Sequence, residues 1–159
     1  MNQKSITIHY NEYSNRDELS KEERGLLDLA VKAAAGAYAP YSRFNVGAAV
    51  LMSNGQIFHA SNQENAAFPS GLCAERVALF YAHSACPDAK VVAIAIVSVI
   101  NGKLSKTPTY PCGACRQVMT ESQQRGGEPV KIIFGSETVT QIVYSTESVM
   151  PFAFDNLPK

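Results

Sequence analysis

The chain has 159 residues, of which 46% are hydrophobic and 18% charged, so we expect a single domain over residues 1–159 with a sizeable core. Its formal net charge is zero and it has no basic run, which argues against a general affinity for nucleic acid or for an anionic membrane. The longest apolar run, residues 91–97, is too short to cross a bilayer. The N-terminus has no hydrophobic signal core, so we expect a cytoplasmic protein whose thiols stay reduced.

The first elements of the chain are predicted from two local patterns. Apolar and polar side chains alternate over residues 4–13, which predicts a strand within an N-terminal extension, residues 1–19. Ser20 and Glu23 have the spacing of a capping box and start a helix that is expected to end near Gly36.

The rest of the chain alternates strands with two further helices. The helices begin at Cys73 and Cys112, and the second is expected to stop at Gly126-Gly127. An Asn-Gly pair predicts a hairpin between the first two strands. The predicted strands are residues 44–52, 56–60, 90–100, 130–134 and 138–144. This order predicts an α/β fold, a three-layer α/β/α sandwich around a mixed central sheet of about five strands.

Three cysteines lie at the starts of the two later helices. Cys73 begins one helix, and Cys112 and Cys115 begin the other with the i, i+3 spacing that places both sulfurs on one side. A helix N-terminus favours a thiolate over a thiol, because its partial charge is positive. Facing helix ends would therefore offer three anionic sulfurs to one Zn²⁺ and leave a fourth position for water, as in a catalytic site.

Glu75 lies two residues after the first of these cysteines. A water bound to zinc has a pKa of about 7, and a neighbouring carboxylate can take its proton and deliver it to a substrate. The combination therefore predicts a zinc-dependent hydrolytic enzyme with Glu75 as the catalytic acid and base. Arg76 follows directly, and a guanidinium that donates to sulfur would offset the negative charge of three thiolates on one Zn²⁺.

With these residues placed, the chain resembles the cytidine deaminase family, in its short-chain homotetrameric branch. The resemblance extends over five stretches in family order, which together span roughly residues 20–155. The matching stretches are residues 38–49, 62–65, 73–76, 111–117 and 150–154. It implies the hydrolysis of cytidine and deoxycytidine to uridine and deoxyuridine with release of ammonia, a step of pyrimidine salvage.

The resemblance also implies a role for individual residues. Cys73, Cys112 and Cys115 would hold one Zn²⁺ per subunit, and Glu75 would move a proton from the bound water to the pyrimidine N3 and the leaving amine. The remaining implied contacts divide between the nucleoside and the surroundings of the metal. They are Asn62 and Glu64 for the ribose, Phe44 and the Ala74 backbone N–H for the base, Phe154 for the site of a neighbouring subunit, and Arg76 and Gln117 behind the zinc ligands.

The chain departs from the family pattern at two positions beside the expected nucleoside pocket. Phe68 stands where the family usually has tyrosine, and Gln63 stands where an aliphatic residue is common. These changes leave the substrate range open, along with the preference for ribo- or deoxyribonucleosides.

Several other interpretations of the same residues remain open from the sequence. The scaffold could deaminate a cytosine-bearing antibiotic or a nucleic acid, although no basic aromatic groove is evident for the latter. Cys112-x-x-Cys115 alone could be a thioredoxin-like redox pair, and a zinc site could stabilise a non-catalytic interaction module. Phe44 and Phe154 could simply pack locally, and Asn62 and Glu64 could cap loops. The histidines match no ligand spacing, and Cys86 is interpreted as structural.

Overall fold

A mixed β-sheet runs through the centre of the fold, between α-helices on its two faces. The computed structural model describes residues 1–155. Within that range the helices are α1 (Lys21–Ala34), α2 (Ala74–Ala85) and α3 (Gly113–Gly126). The strands are β1 (Asn11–Tyr13), β2 (Asn45–Met52), β3 (Ile57–Ser61), β4 (Val91–Ile100), β5 (Lys103–Leu104), β6 (Lys131–Gly135) and β7 (Thr140–Val143).

The strand order is β1-β7-β6-β4-β2-β3, and β5 pairs with the end of β4. β4 and β6 are parallel, whereas the other pairs are antiparallel. The central position of β4 explains its nearly continuous apolar sequence, because both of its faces are covered. No helix within residues 1–155 combines the length and the apolar character needed to span a membrane.

The helices divide between the faces in the way the sequence predicts. α1 packs on one face, where Gly47 lets the strand approach so closely that a Cβ there would lie 1.9 Å from the Ala30 carbonyl oxygen. α2 and α3 pack on the opposite face, against alternate residues of β4 such as Ile94 and Ile96. The three-layer α/β/α prediction is confirmed, with five longer strands and two short ones in the sheet.

The predicted capping box at the start of α1 is also confirmed. The Ser20 hydroxyl accepts from the Glu23 N–H at 3.2 Å, and the Glu23 carboxylate accepts from the Ser20 N–H at 2.9 Å.

After β4, Asn101 and Gly102 both have positive φ, 52° and 75°. They form a two-residue turn between β4 and β5.

The strand predicted over residues 4–13 is wrong for most of its length, since only Asn11–Tyr13 form β1. The neighbouring strand β7 is four residues long, and of the N-terminal segment it pairs with only these three residues. The apolar side chains of Ile6, Ile8 and Tyr10 are all about half exposed, at 55%, 48% and 56%. Alternation without a paired neighbour or a core beneath it does not produce a strand.

Candidate zinc centre and nucleoside cleft

The three predicted ligands come together at the N-termini of α2 and α3. Cys73 and Cys112 are the N-cap residues of the two helices, and Cys115 lies in the first turn of α3. Because β4 and β6 are parallel, the chain between them crosses over, and α3 begins beyond the carboxyl end of β4. The start of α2 reaches the same place from the loop after β3.

The spacing of the sulfurs fits a zinc ion. The Sγ atoms of Cys73 and Cys112 are 4.0 Å apart, those of Cys112 and Cys115 are 3.5 Å apart, and all three lie within 4.8 Å of one another. Tetrahedral zinc with Zn–S bonds of about 2.3 Å requires sulfur–sulfur distances of about 3.8 Å. Among residues 1–155 no other group of histidine, cysteine and carboxylate side chains has a metal-binding arrangement, so a fourth side-chain ligand is absent from the described site.

The surroundings of Cys73 favour its thiolate form. A hydrogen bond from Cys115 and the neighbouring guanidinium of Arg76 lower the pKa of Cys73 to about 5. The same interaction and burial raise the pKa of Cys115. The Nε of Arg76 is buried without a hydrogen-bond partner. A donor left unpaired beside a sulfur cluster fits the predicted role, because thiolates on a metal would accept from it.

Glu75 occupies the first turn of α2, directly after the N-cap cysteine and one buried alanine. Its side chain is 4% exposed, and burial raises the pKa of its carboxyl, with a further contribution from the charge of Cys73. A raised pKa suits a carboxyl group that must both accept and donate a proton.

A cleft of about 520 Å³ opens beside Cys73 and Arg76. Its size is within the range of small-ligand sites. Most of its wall comes from the loop before β2, the loop after β3 and the segment that leads into α2. The lining residues are Tyr41, Ser42, Asn62, Gln63, Glu64, Asn65, Phe68, Gly71, Leu72, Cys73 and Arg76.

The two predicted ribose contacts both line this cleft, and each is held by backbone groups. The Asn62 side chain accepts from Val46 N at 2.8 Å and donates to Phe44 O at 2.9 Å. Glu64 accepts at Oε2 from Tyr41 N at 2.9 Å and from Ser42 N at 3.3 Å. Hydrogen bonds from the Ser42 side chain and from these backbone groups lower the pKa of the Glu64 carboxyl, so it is ionised at neutral pH.

The two positions that depart from the family pattern also line the cleft. Gln63 donates to Gly36 O and to the Ser61 hydroxyl, both at 3.2 Å, so its amide ties the loop to the end of α1. Phe68 is 74% exposed and packs edge-to-face on Tyr41, with ring centroids 5.9 Å apart. Their effect on the substrate range stays a prediction.

Other predicted site residues lie outside the lining of the cleft. Ala74 is fully buried at the start of α2, Phe44 is half-buried just before β2, and Phe154 is 67% exposed. Gln117 does not bond to a sulfur in the described structure, and instead exchanges two hydrogen bonds with the backbone of Phe154. The roles predicted for these four residues stay predictions.

The sequence did not single out the backbone groups that shape the site. Tyr41 and Ser42 hold Glu64 through their N–H groups, which leave no signature in a side-chain pattern. Arg116 was also missed as a tether: its side chain donates to Pro111 O at 2.8 Å and to Val149 O at 2.9 Å, which ties the segment before Cys112 to the C-terminal region. Its position directly after a ligand was the available signal.

Comparison with known families identifies this arrangement. Residues 20–126 match the model of the cytidine and deoxycytidylate deaminase zinc-binding region, a range that contains all three predicted sulfur ligands and Glu75. The chain belongs to this deaminase family. The resemblance predicted from the sequence is confirmed, and zinc is the metal for the three-cysteine site.

Individual relatives agree with the assignment to the deaminase family. A cytidine deaminase of Halalkalibacterium halodurans is 51% identical over 96 residues, covering 60% of this chain and 68% of the relative. One from Mycobacterium tuberculosis is 42% identical over 92 residues, covering 58% and 65%. The matched segments thus span about two thirds of the length of these curated relatives.

Solved structures in the deaminase family extend the similarity over more of the chain. The crystal structure of cytidine deaminase from Burkholderia pseudomallei has a TM-score of 0.68 and 36% identity, and the match covers 82% of this chain and 98% of that one. The Mycobacterium tuberculosis enzyme has a TM-score of 0.66 and 33% identity, covering 86% and 100%. The fold predicted from the sequence is therefore that of the family's solved structures.

Proposed function

We propose that this protein catalyses the hydrolytic deamination of cytidine and deoxycytidine to uridine and deoxyuridine, with release of ammonia. One observation carries the proposal. Glu75 is a buried carboxyl in the first turn of α2, whose N-cap residue is Cys73 of the three-sulfur zinc site, and this site borders a small-ligand cleft. The names of the relatives support the same reaction.

The residues divide the reaction between water activation and proton movement. When bound to the three sulfurs, zinc makes water nucleophilic near neutral pH. The Glu75 carboxylate accepts a proton from the attacking water, places it on N3 of the pyrimidine, and later helps to protonate the amine that leaves C4. A carboxyl group whose pKa is raised by burial is suited to both steps. The N–H of Ala74, at the start of α2, would donate to the carbonyl oxygen of the base.

The cleft supports a neutral nucleoside as the substrate. Asn62 and Glu64 offer an amide and an ionised carboxylate to sugar hydroxyls, and Oε2 of Glu64 is already fixed by two backbone N–H groups. Among the described lining residues Arg76 is the one cation, and its Nε points into the buried region beside the sulfurs. A phosphorylated substrate would find few cationic partners here and would approach the charge of Glu64.

The same proposal includes a homotetramer, in which Phe154 reaches the cleft of a neighbouring subunit, and a cytoplasmic location. Phe154 is 67% exposed and does not line the cleft of its own chain, which favours contact with another subunit. α2 also presents Phe80 and Tyr81 at 49% and 58% exposure, a surface suited to subunit packing. A reducing compartment would keep the three sulfurs available to the metal.

The decisive experiment compares Glu75→Gln with the native protein. Glutamine keeps the size of the side chain but cannot carry the proton, so we expect kcat to fall by about 10²–10⁴-fold or more while the zinc content stays at one ion per chain. Ammonia release from cytidine and from deoxycytidine is measured together with zinc in the same samples. Glu121→Gln is the matched control, since Glu121 is an exposed residue of α3 away from the cleft.

The outcome that overturns the proposal is a folded, zinc-loaded Glu75→Gln variant with native activity. If the native protein itself holds zinc but releases no ammonia from either nucleoside, the result favours a non-catalytic interaction module that zinc stabilises. A substrate panel that includes a cytosine-bearing antibiotic then separates a related deaminase from a protein without this activity.

A further inference from the structure

The side chain of Gln117 forms a two-point contact with the C-terminal segment. Its Nε2 donates to Phe154 O at 2.7 Å, and its Oε1 accepts from Phe154 N at 3.2 Å. Both polar ends of the amide are therefore engaged by the backbone of one residue, 37 positions further along the chain. This is the pairing that one strand offers to another, supplied here by a single side chain.

This contact stands almost alone in holding the segment. Within the described part of the chain, residues 151–155 make no other hydrogen bond and form no helix or strand. The preceding residues are fixed more firmly, since Val149 N and Met150 N both donate to Thr146 O and Arg116 donates to Val149 O. The fixed part of the C-terminal region thus ends at Met150, and the next anchor is Gln117.

The anchor comes from the part of α3 that carries a zinc ligand. Gln117 lies two residues after Cys115 in the same helix, and that cysteine is fully buried in the core next to the other sulfurs. Gln117 therefore ties the Phe154 backbone to the same helical turn of α3 that carries Cys115. Phe154 as a whole is 67% exposed, so its ring has little packing of its own to hold it in place.

We propose that Gln117 is a positioning residue that fixes the backbone of Phe154 and thereby presents its ring for substrate binding. The clamp is a property of the chain itself, while its effect on catalysis rests on the function proposed above. Without the clamp the ring samples many positions, and apparent affinity falls by the fraction of time it spends in the productive one. For two solvent-exposed hydrogen bonds we expect about a tenfold rise in KM with little change in kcat.

The clamp can be measured without any substrate, because the chain contains no tryptophan. A Phe154→Trp variant carries a single tryptophan at the position in question. Adding Gln117→Ala should lower the fluorescence anisotropy of that tryptophan, since its backbone loses both hydrogen bonds. Adding Gln124→Ala instead should leave the anisotropy unchanged, because Gln124 is an exposed residue near the end of the same helix and away from the C-terminal segment.

The catalytic consequence is tested with a double-mutant cycle in cytidine deamination. If Gln117 acts through Phe154, Gln117→Ala raises KM in the native background and has no further effect in a Phe154→Ala background. Gln117→Glu keeps the acceptor for Phe154 N but loses the donor to Phe154 O, so its KM should lie between those of the native protein and of Gln117→Ala. Zinc content should equal that of the native protein in every variant.

Three results would overturn the proposal. One is unchanged tryptophan anisotropy after Gln117→Ala, which would show that the amide does not hold the segment. Another is a KM penalty that persists in the Phe154→Ala background. The third is loss of zinc from Gln117→Ala, which would assign the residue to the metal instead. If the native protein fails to deaminate cytidine, the proposed function fails, yet the anisotropy measurement still decides whether the clamp exists.

Discussion

Substituting Asn62 should destabilise the fold as well as weaken nucleoside binding. Its side chain joins the end of β3 to the start of β2, accepting from Val46 N at 2.8 Å and donating to Phe44 O at 2.9 Å. Both bonds are partly buried, and each such bond contributes about 0.5–1.5 kcal/mol to the free energy of unfolding. Asn62→Ala removes both, so we expect a loss of about 1–3 kcal/mol.

The assay is thermal or urea denaturation at fixed protein and zinc concentration, with KM measured on the same samples. For a chain of this length a loss of 1 kcal/mol lowers Tm by about 2–4 °C, so the expected shift is roughly 2–12 °C. Asn65→Ala is the matched control. It lies in the same loop and lines the same cleft, but its side chain only accepts one exposed hydrogen bond, from Ala67 N.

The reasoning would be refuted by an Asn62→Ala protein that unfolds at the same temperature as Asn65→Ala while its KM rises. In that case the two backbone bonds would contribute nothing measurable, and Asn62 would act only on the ligand. If instead stability falls and KM is unchanged, the residue is a structural tie and the predicted ribose contact is wrong.

The remaining predictions concern two glycines and one histidine. Gly47→Ala should destabilise the fold by about 3 kcal/mol or more in urea denaturation, because its Cβ would meet backbone atoms of α1. Gly25→Ala is the control: a Cβ there has nothing within 4 Å, so this substitution inside a helix should stabilise the fold by up to about 1 kcal/mol. Equal effects of the two substitutions would contradict the close approach of α1 to Gly47. Burial and the charge of Arg125 lower the pKa of His83, whose Nδ1 is buried without a partner. The unfolded chain therefore binds the proton more readily, and stability should be complete above the ordinary histidine pKa of about 6.5 and fall as pH drops below it. His83→Gln should flatten the pH dependence of the free energy of unfolding between pH 7 and pH 5. An unchanged slope would show that His83 does not cause this dependence.

The features that could be predicted from the sequence are those fixed by neighbouring residues. The capping box of Ser20 and Glu23 depends on a spacing of three residues, and so does the pairing of Cys112 and Cys115 on one side of α3. Glu75 lies two residues from a predicted ligand, so its place beside the predicted metal site follows from the helix alone. The motif was specific enough to predict the family and the zinc site.

Tertiary structure decided the features that join distant parts of the chain. Thirty-eight residues separate Cys73 from Cys112, and their sulfurs meet only because α2 and α3 pack on the same face of the sheet. The strand expected over residues 4–13 forms only at its end, because a strand needs a partner and β7 pairs with only three residues of this segment. The amide of Gln117 reaches Phe154 across 37 positions. Local patterns record what one segment prefers, whereas these contacts depend on which segments the packed sheet brings together.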